Sequence, residues 1–107
     1  MYTYGQPRVG NYEFAKYFDS IIHEYYRIVH DRDIVCHVPG MAFFYRHGGR
    51  EIWYSDNMKE IRKICRKDSS YCSNSLGSFN SNYKFSDHSS KNYIMMHQLN
   101  KVPPETQ

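Results

Sequence analysis

The chain is short of several things at once. No stretch of about 18 consecutive apolar residues occurs, so nothing in its 107 residues reads as a bilayer-spanning helix. The N-terminus lacks the basic-then-apolar profile of an export signal, which leaves the compartment open. Cysteine is scarce and odd in number: of three, Cys65 and Cys72 could close a short loop, and Cys36 would be left over. Net charge is only +3, with 14 basic and 11 acidic residues interspersed, so bulk electrostatics select no partner. There is no internal repeat. What the chain does have is aromatic weight, 17% of residues and chiefly Tyr, which sets it among globular rather than disordered proteins.

Periodicity divides the chain into elements of an α/β protein. Tyr2 to Tyr4 reads as the end of a strand that Gly5-Gln6-Pro7 breaks. Asn11 is an N-cap, Glu13 sits in the first turn, and Phe14, Ala15, Phe18, Ile21 and Ile22 form one apolar stripe of a helix. Tyr25 to His30 is aromatic and β-branched and reads as a second strand. Strand, helix and strand in about 30 residues imply a parallel βαβ unit, and functional groups in such sheets gather at the carboxyl ends of strands, where Asp33 falls. Ala42 to His47 and Glu51 to Tyr54 flank His47-Gly48-Gly49-Arg50, a β-hairpin signal. Met58 to Lys67 has helical spacing at Met58, Ile61 and Cys65 but suits an irregular connection equally. Ser69 to Asn82 reads as loop, and His88 to Leu99 as a final short helix with Tyr93, Met96 and Leu99 on one side. Residues 1–100 are expected to form one partial domain, with 101–107 as a tail.

Several of these stretches together resemble the fungal-type (class 3) lipases, and animal, nematode-like secreted members in particular. Tyr4-Gly5-Gln6-Pro7-Arg8-Val9-Gly10-Asn11 with Phe14-Ala15 is similar to that family's strand-to-helix signature. Tyr26 to His30 through Asp33-Ile34-Val35 and His37-Val38-Pro39 resembles the segment carrying the triad aspartate, and Tyr45-Arg46-His47 with Glu51 to Tyr54 the hairpin after it. Asp87-His88 is similar to the site of the triad histidine. The resemblance implies the C-terminal half of an α/β-hydrolase domain, carboxylic-ester hydrolysis of lipids without a cofactor, a Cys65–Cys72 pair and, since relatives are usually secreted, an extracellular setting that this N-terminus does not signal.

On that resemblance Asp33 would orient and support the imidazolium of His88, and His88 would move the nucleophile's proton. The nucleophile itself is missing: no Gly-x-Ser-x-Gly elbow occurs, so the chain alone is expected to be inactive, with no oxyanion-hole donor beside a serine. Ser73-Asn74-Ser75-Leu76-Gly77 comes within one glycine of the pattern but lies in a polar loop. Two further departures are Cys36, where the family usually has proline, and Tyr93, which lies farther beyond His88 than the usual aromatic.

Blander readings stand beside these. Asp33 could cap a turn and His88 could be one of six surface histidines. Neither His30 with Asp33 nor His37 with His47 has a recognised metal-ligand spacing, so no metal is expected. Cys36 as a nucleophile is conceivable, but between Val35 and a Val38-Pro39 turn an inert buried thiol is the expectation. Lys59, Arg62, Lys63, Arg66 and Lys67 form the one basic cluster, read as a solvated face rather than a nucleic-acid site. The rival to an enzyme is a non-catalytic remnant that binds lipid or protein. A sheet missing its centre would favour pairing with an N-terminal half or with itself.

Overall fold

A computed structural model describes residues 1–77, 83–90 and 93. Among the described residues, six strands and the helix α1 follow in the order β1 (Tyr2–Tyr4), β2 (Gly10–Asn11), α1 (Tyr12–Ile21), β3 (Tyr26–His30), β4 (Tyr45–Arg46), β5 (Arg50–Tyr54) and β6 (Ile61–Arg66). The main sheet has the order β1-β3-β5-β6. β1 and β3 are parallel with Tyr2 beside Tyr26, so α1 is the crossover of the expected βαβ unit.

Asn11 caps α1 as its sequence position implied, its side-chain oxygen accepting the Phe14 N–H at 2.9 Å. The stripe below that cap is less covered than its spacing suggested. Only Ala15 is buried, while Phe14 and Ile21 stay 44% and 53% exposed. Phe14, Ala15 and Phe18 line a cleft of about 310 Å³ with Val9 and Tyr25.

The hairpin expected across His47 to Arg50 does not form. β4 turns away and pairs antiparallel with β2, Gly10 opposite Arg46, while β5 lies parallel to β3. The two glycines serve close approach instead of a tight reversal. A Cβ on Gly48 would stand 2.5 Å from Asp19 Oδ1, Gly49 adopts φ +64°, and its N–H donates to that same oxygen at 2.9 Å. A hairpin does occur one element later, between β5 and β6, where Met58 to Lys67 was expected to be helical or irregular. Register sets Ile64 opposite Ile52 and Cys65 opposite Glu51, with a bulge at Trp53 and Tyr54. Cross-strand pairing thus overrides the local spacing of Met58, Ile61 and Cys65.

β3 is buried along its full length, and two cores form on its faces. Tyr26, Ile28, Ile52, Tyr54, Met58 and Tyr93 pack on one; Val29, Cys36, Trp53 and Cys72 on the other. Arg27, 1% exposed, pierces the second face 3.9 Å from Glu51 and donates through Nε to the Gly48 carbonyl at 2.7 Å. Glu51 in turn accepts the Ser73 N–H at 3.0 Å. A disulfide joins Cys65 to Cys72. Among the described residues no helix is long and apolar enough to cross a membrane. Of the expected final helix, Ser90 and Tyr93 are helical; Met96, Leu99 and the 101–107 tail lie outside the described residues.

Candidate active site

β3 ends at His30, and the chain beyond it makes the turn that offers Asp33. Asp33 is fully buried and caps the 3-10 turn Ile34–His37, its Oδ1 accepting the Val35 N–H at 2.9 Å. The reading of Asp33 as a turn cap is therefore correct, and it uses only one carboxylate oxygen. The other, Oδ2, lies 2.8 Å from Nδ1 of His88, 55 residues away.

Several contacts bring that distant segment in. Lys84 forms an isolated parallel bridge with Asp33, and its N–H donates to the Arg32 carbonyl at 2.8 Å. Asp87 accepts the Arg32 N–H at 3.0 Å on its carboxylate, while the His30 ring sits 2.7 Å from its carbonyl. His88 closes the short 3-10 turn Ser86–His88. Its side chain keeps 39% exposure against 0% for Asp33, so one ring nitrogen faces the carboxylate while the imidazole stays open to solvent.

Two residues tune this pair in ways that no spacing in the sequence signalled. Tyr93 donates its hydroxyl to Asp33 Oδ2 at 2.6 Å and accepts the His30 N–H at 3.0 Å. Burial first, then neighbouring negative charge, holds the Tyr93 phenol far above its ordinary range, so it remains a donor. Its greater distance beyond His88 along the chain does not prevent this contact. Gly5 supplies the floor: at φ +66° it leaves room where a Cβ would stand 2.8 Å from His88 Nδ1 and 3.1 Å from Asp33 Oδ2.

The other candidates are held elsewhere. Cys36 is 1% exposed, and burial followed by the Asp33 and Glu51 carboxylates pushes its thiol well above the usual range. His37 and His47 belong to a buried network around Arg8, which donates to the carbonyls of His37 (2.6 Å) and Pro39 (3.1 Å) and to Asp68 (2.8 Å). Asp68 also accepts the His47 N–H at 2.6 Å. Burial and then the Arg8 charge lower His37 to about 4, and burial and then Arg27 lower His47 further. Ser73–Leu76 is a 3-10 turn in which Ser73 is buried. Among the described residues the one grouping of metal-type ligands is His30, Asp56 and Asp87, and it includes none of Asp33, His37 and His47. Both ring nitrogens of His30 already face carbonyls at 2.7 Å.

An acid and an imidazole coupled at 2.8 Å, with the acid sealed at the carboxyl end of a parallel strand, can polarise a hydroxyl nucleophile. A family model described as Lipase (class 3) matches residues 1–43. The chain is 47% identical to a lipase of Rhizomucor miehei over 83 residues, 76% of this chain and 23% of that protein. It belongs to the class 3 lipases.

Solved lipase structures extend the match to the fold. Lipase II from Rhizopus niveus superposes with a TM-score of 0.72 at 39% identity, covering 81% of this chain and 32% of that one. The triacylglyceride lipase of Rhizomucor miehei gives 0.71 at 44%, with the same coverage. As a member of that family the chain carries a partial α/β-hydrolase fold, a mixed sheet with few helices, and spans less than a quarter of the curated Rhizomucor relative.

Proposed function

We propose that Asp33 and His88 are the acid and base of a Ser-His-Asp triad that hydrolyses carboxylic esters of lipids, with the serine supplied from outside these 107 residues. The observation that carries this reading is the 2.8 Å contact between His88 Nδ1 and the buried Asp33 Oδ2. In that arrangement Nδ1–H donates to Asp33, which fixes the tautomer and leaves the other ring nitrogen as the base. His88 takes the serine proton as the acyl-enzyme forms, then returns it to the departing alcohol. Tyr93 and the Val35 N–H hold the carboxylate still while the imidazolium develops. Substrate class follows the relatives, whose names read lipase and triacylglyceride lipase. No cofactor enters the scheme.

With no Gly-x-Ser-x-Gly, the 107-residue polypeptide is expected to release no p-nitrophenol from a p-nitrophenyl ester above the buffer rate. A rate that vanishes on His88→Ala would show a nucleophile within the chain. In any form of the protein carrying the serine, Asp33→Asn is expected to lower kcat by about 10⁴-fold, and an unchanged kcat would remove Asp33 from the triad.

A non-catalytic role is the second reading. It is favoured by the run Met41 to Phe44, where Phe43 and Phe44 are 69% and 76% exposed. Lipid, an N-terminal portion of the same fold or a second copy would cover such surfaces.

A further inference from the structure

His30, the last residue of β3, is 1% exposed and touches three separate segments around the candidate site. Its backbone N–H donates to the Tyr93 hydroxyl at 3.0 Å, and that hydroxyl donates in turn to Asp33 Oδ2 at 2.6 Å. Its two ring nitrogens face two carbonyls. Nδ1 lies 2.7 Å from the carbonyl of Asp87, the residue before His88, and Nε2 lies 2.7 Å from that of Asp56, in the turn between β5 and β6. The ring also stands edge-on to Tyr93 with 6.1 Å between centroids, and Tyr93 stands edge-on to His88 at 6.3 Å. One residue thus reaches both members of the acid–base pair through a single intermediary each: Tyr93 toward Asp33, and Asp87 toward His88.

The two carbonyl contacts do not weigh equally. A neutral imidazole has one N–H, so it serves one carbonyl and turns a lone pair to the other. Asp56 lies in an open turn with its side chain 82% exposed, where water can take the ring's place on the carbonyl. Asp87 is buried, and its carbonyl, deprived of this donor, would bear most of its desolvation cost. The arrangement that keeps the buried carbonyl paired therefore carries hydrogen on Nδ1. The Asp87 carboxylate is held separately, by the Arg32 N–H at 3.0 Å, so the backbone tie to His30 is a second and independent anchor of this residue.

We propose that His30 is a positioning residue of this site, its Nδ1–H donating to the Asp87 carbonyl and so fixing where the turn Ser86–His88 presents His88 to Asp33. The proposal rests on the acid–base reading of Asp33 and His88. Asp33 is pinned on both oxygens, Oδ1 by the Val35 N–H and Oδ2 by Tyr93, so it does not follow a displaced imidazole. The contact between them is set at 2.8 Å, and hydrogen bonds of this kind weaken beyond about 3.2 Å, so a shift of a few tenths of an ångström in the Asp87 backbone is felt at His88. His30 touches no reacting atom and moves no proton; it acts through Asp87.

Nitrogen-15 NMR of the 107-residue chain labelled at histidine tests this. In the unsubstituted chain His30 is expected to carry hydrogen on Nδ1, and His88 to show an Nδ1–H bonded to Asp33. His30→Asn places an amide N–H where Nδ1 stood, whereas His30→Gln places it one bond farther out, where Nε2 stood. The Asn variant is expected to keep the exchange of the His88 Nδ1–H with water within about threefold of the unsubstituted rate, and the Gln variant to speed it about tenfold, the worth of one buried hydrogen bond. Urea midpoints separate position from stability, because both amides remove the same ring and are expected to cost the fold alike. Hydrogen on His30 Nε2 alone, or equal His88 exchange in the two variants, would overturn the proposal and leave the acid–base reading standing. An unsubstituted chain in which His88 has no N–H bonded to Asp33 would overturn both. Should either variant fail to fold, the position of the His30 hydrogen in the unsubstituted chain still decides.

Discussion

Single residues in this chain occupy backbone positions that their side chains either require or resist. Gly5 requires its position, since a methyl group there would press on both His88 and Asp33. Gly5→Ala is therefore expected to lower stability by roughly 2 kcal/mol through the left-handed backbone and the contact together, and to move the His88 ring signals in NMR spectra. Lost stability with unmoved His88 signals would place the strain elsewhere. Phe44 is the reverse case. It holds φ +68° with 76% of its surface exposed, so the ring has little packing to offset the conformation. Phe44→Gly is expected to raise stability by about 0.5 kcal/mol after the entropy of the added glycine is subtracted, read as a higher urea midpoint, and a clear fall in that midpoint would reveal packing at the ring. Neither case was legible from sequence. Gly5 appeared there as part of a signature and Phe44 as one more apolar residue, because backbone sign and through-space neighbours have no local pattern. The βαβ pattern put Asp33 at a strand's carboxyl end, but its pairing with His88 was legible only through resemblance; their hydrogen bond spans 55 residues, and its Tyr93 partner adds a third segment.

At the scale of elements, the disulfide loop does more than join two cysteines. Between Cys65 and Cys72 lies Asp68, whose carboxylate takes Arg8 at 2.8 Å and the His47 N–H at 2.6 Å, tying the loop to the segment before β2 and to β4's end. Burial, the largest single influence, would raise Asp68; the hydrogen bonds and charges of Arg8 and His47 together outweigh it and hold the carboxyl below its ordinary range. Closing a loop of this length is worth about 2.5 kcal/mol in the chain-entropy account. Reduction is expected to remove that and to loosen Asp68 as well. Asp68→Asn, clearly destabilising in the oxidised protein, should then lose more than half its effect in the reduced one. Equal effects in both states would mean that the loop keeps its shape without the bond. The same scale shows where sequence patterns sufficed. α1 and β3 declare themselves through a cap and a β-branched aromatic run. β6 does not, because Arg62, Lys63 and Arg66 on an exposed edge strand break the alternation that burial would otherwise write. Gly48-Gly49 misled for a related reason: two glycines mark close approach as well as a turn, and only the position of Asp19 distinguishes the two.

For the whole molecule, the buried histidines set the acid limit of stability. His37 is lowered to about 4 from 6.5, chiefly by burial and then by Arg8, and His47 is lowered in the same direction. Both are neutral in the folded protein at pH 6, whereas in the unfolded chain they begin to take up protons near pH 6.5. The unfolded state thus binds more protons, and stability falls as pH drops from about 6.5 toward 4, by about 3 kcal/mol for His37 alone at the end of that range. Asp68, held low, adds a loss of the same sign only below its ordinary value of 3.8, where the unfolded carboxyl protonates first. Glu51 acts oppositely: burial raises it, so protonating it in the folded state relieves a penalty and blunts the decline on the acid side. The window between pH 7 and 5.5 therefore belongs mainly to the two histidines. Urea unfolding across that window is expected to show a falling midpoint, with a shallower fall in His37→Gln, whose side chain does not titrate. A flat profile in the unsubstituted chain, or an unchanged slope in the variant, would mean that the Arg8 network opens to admit the proton without unfolding the sheet.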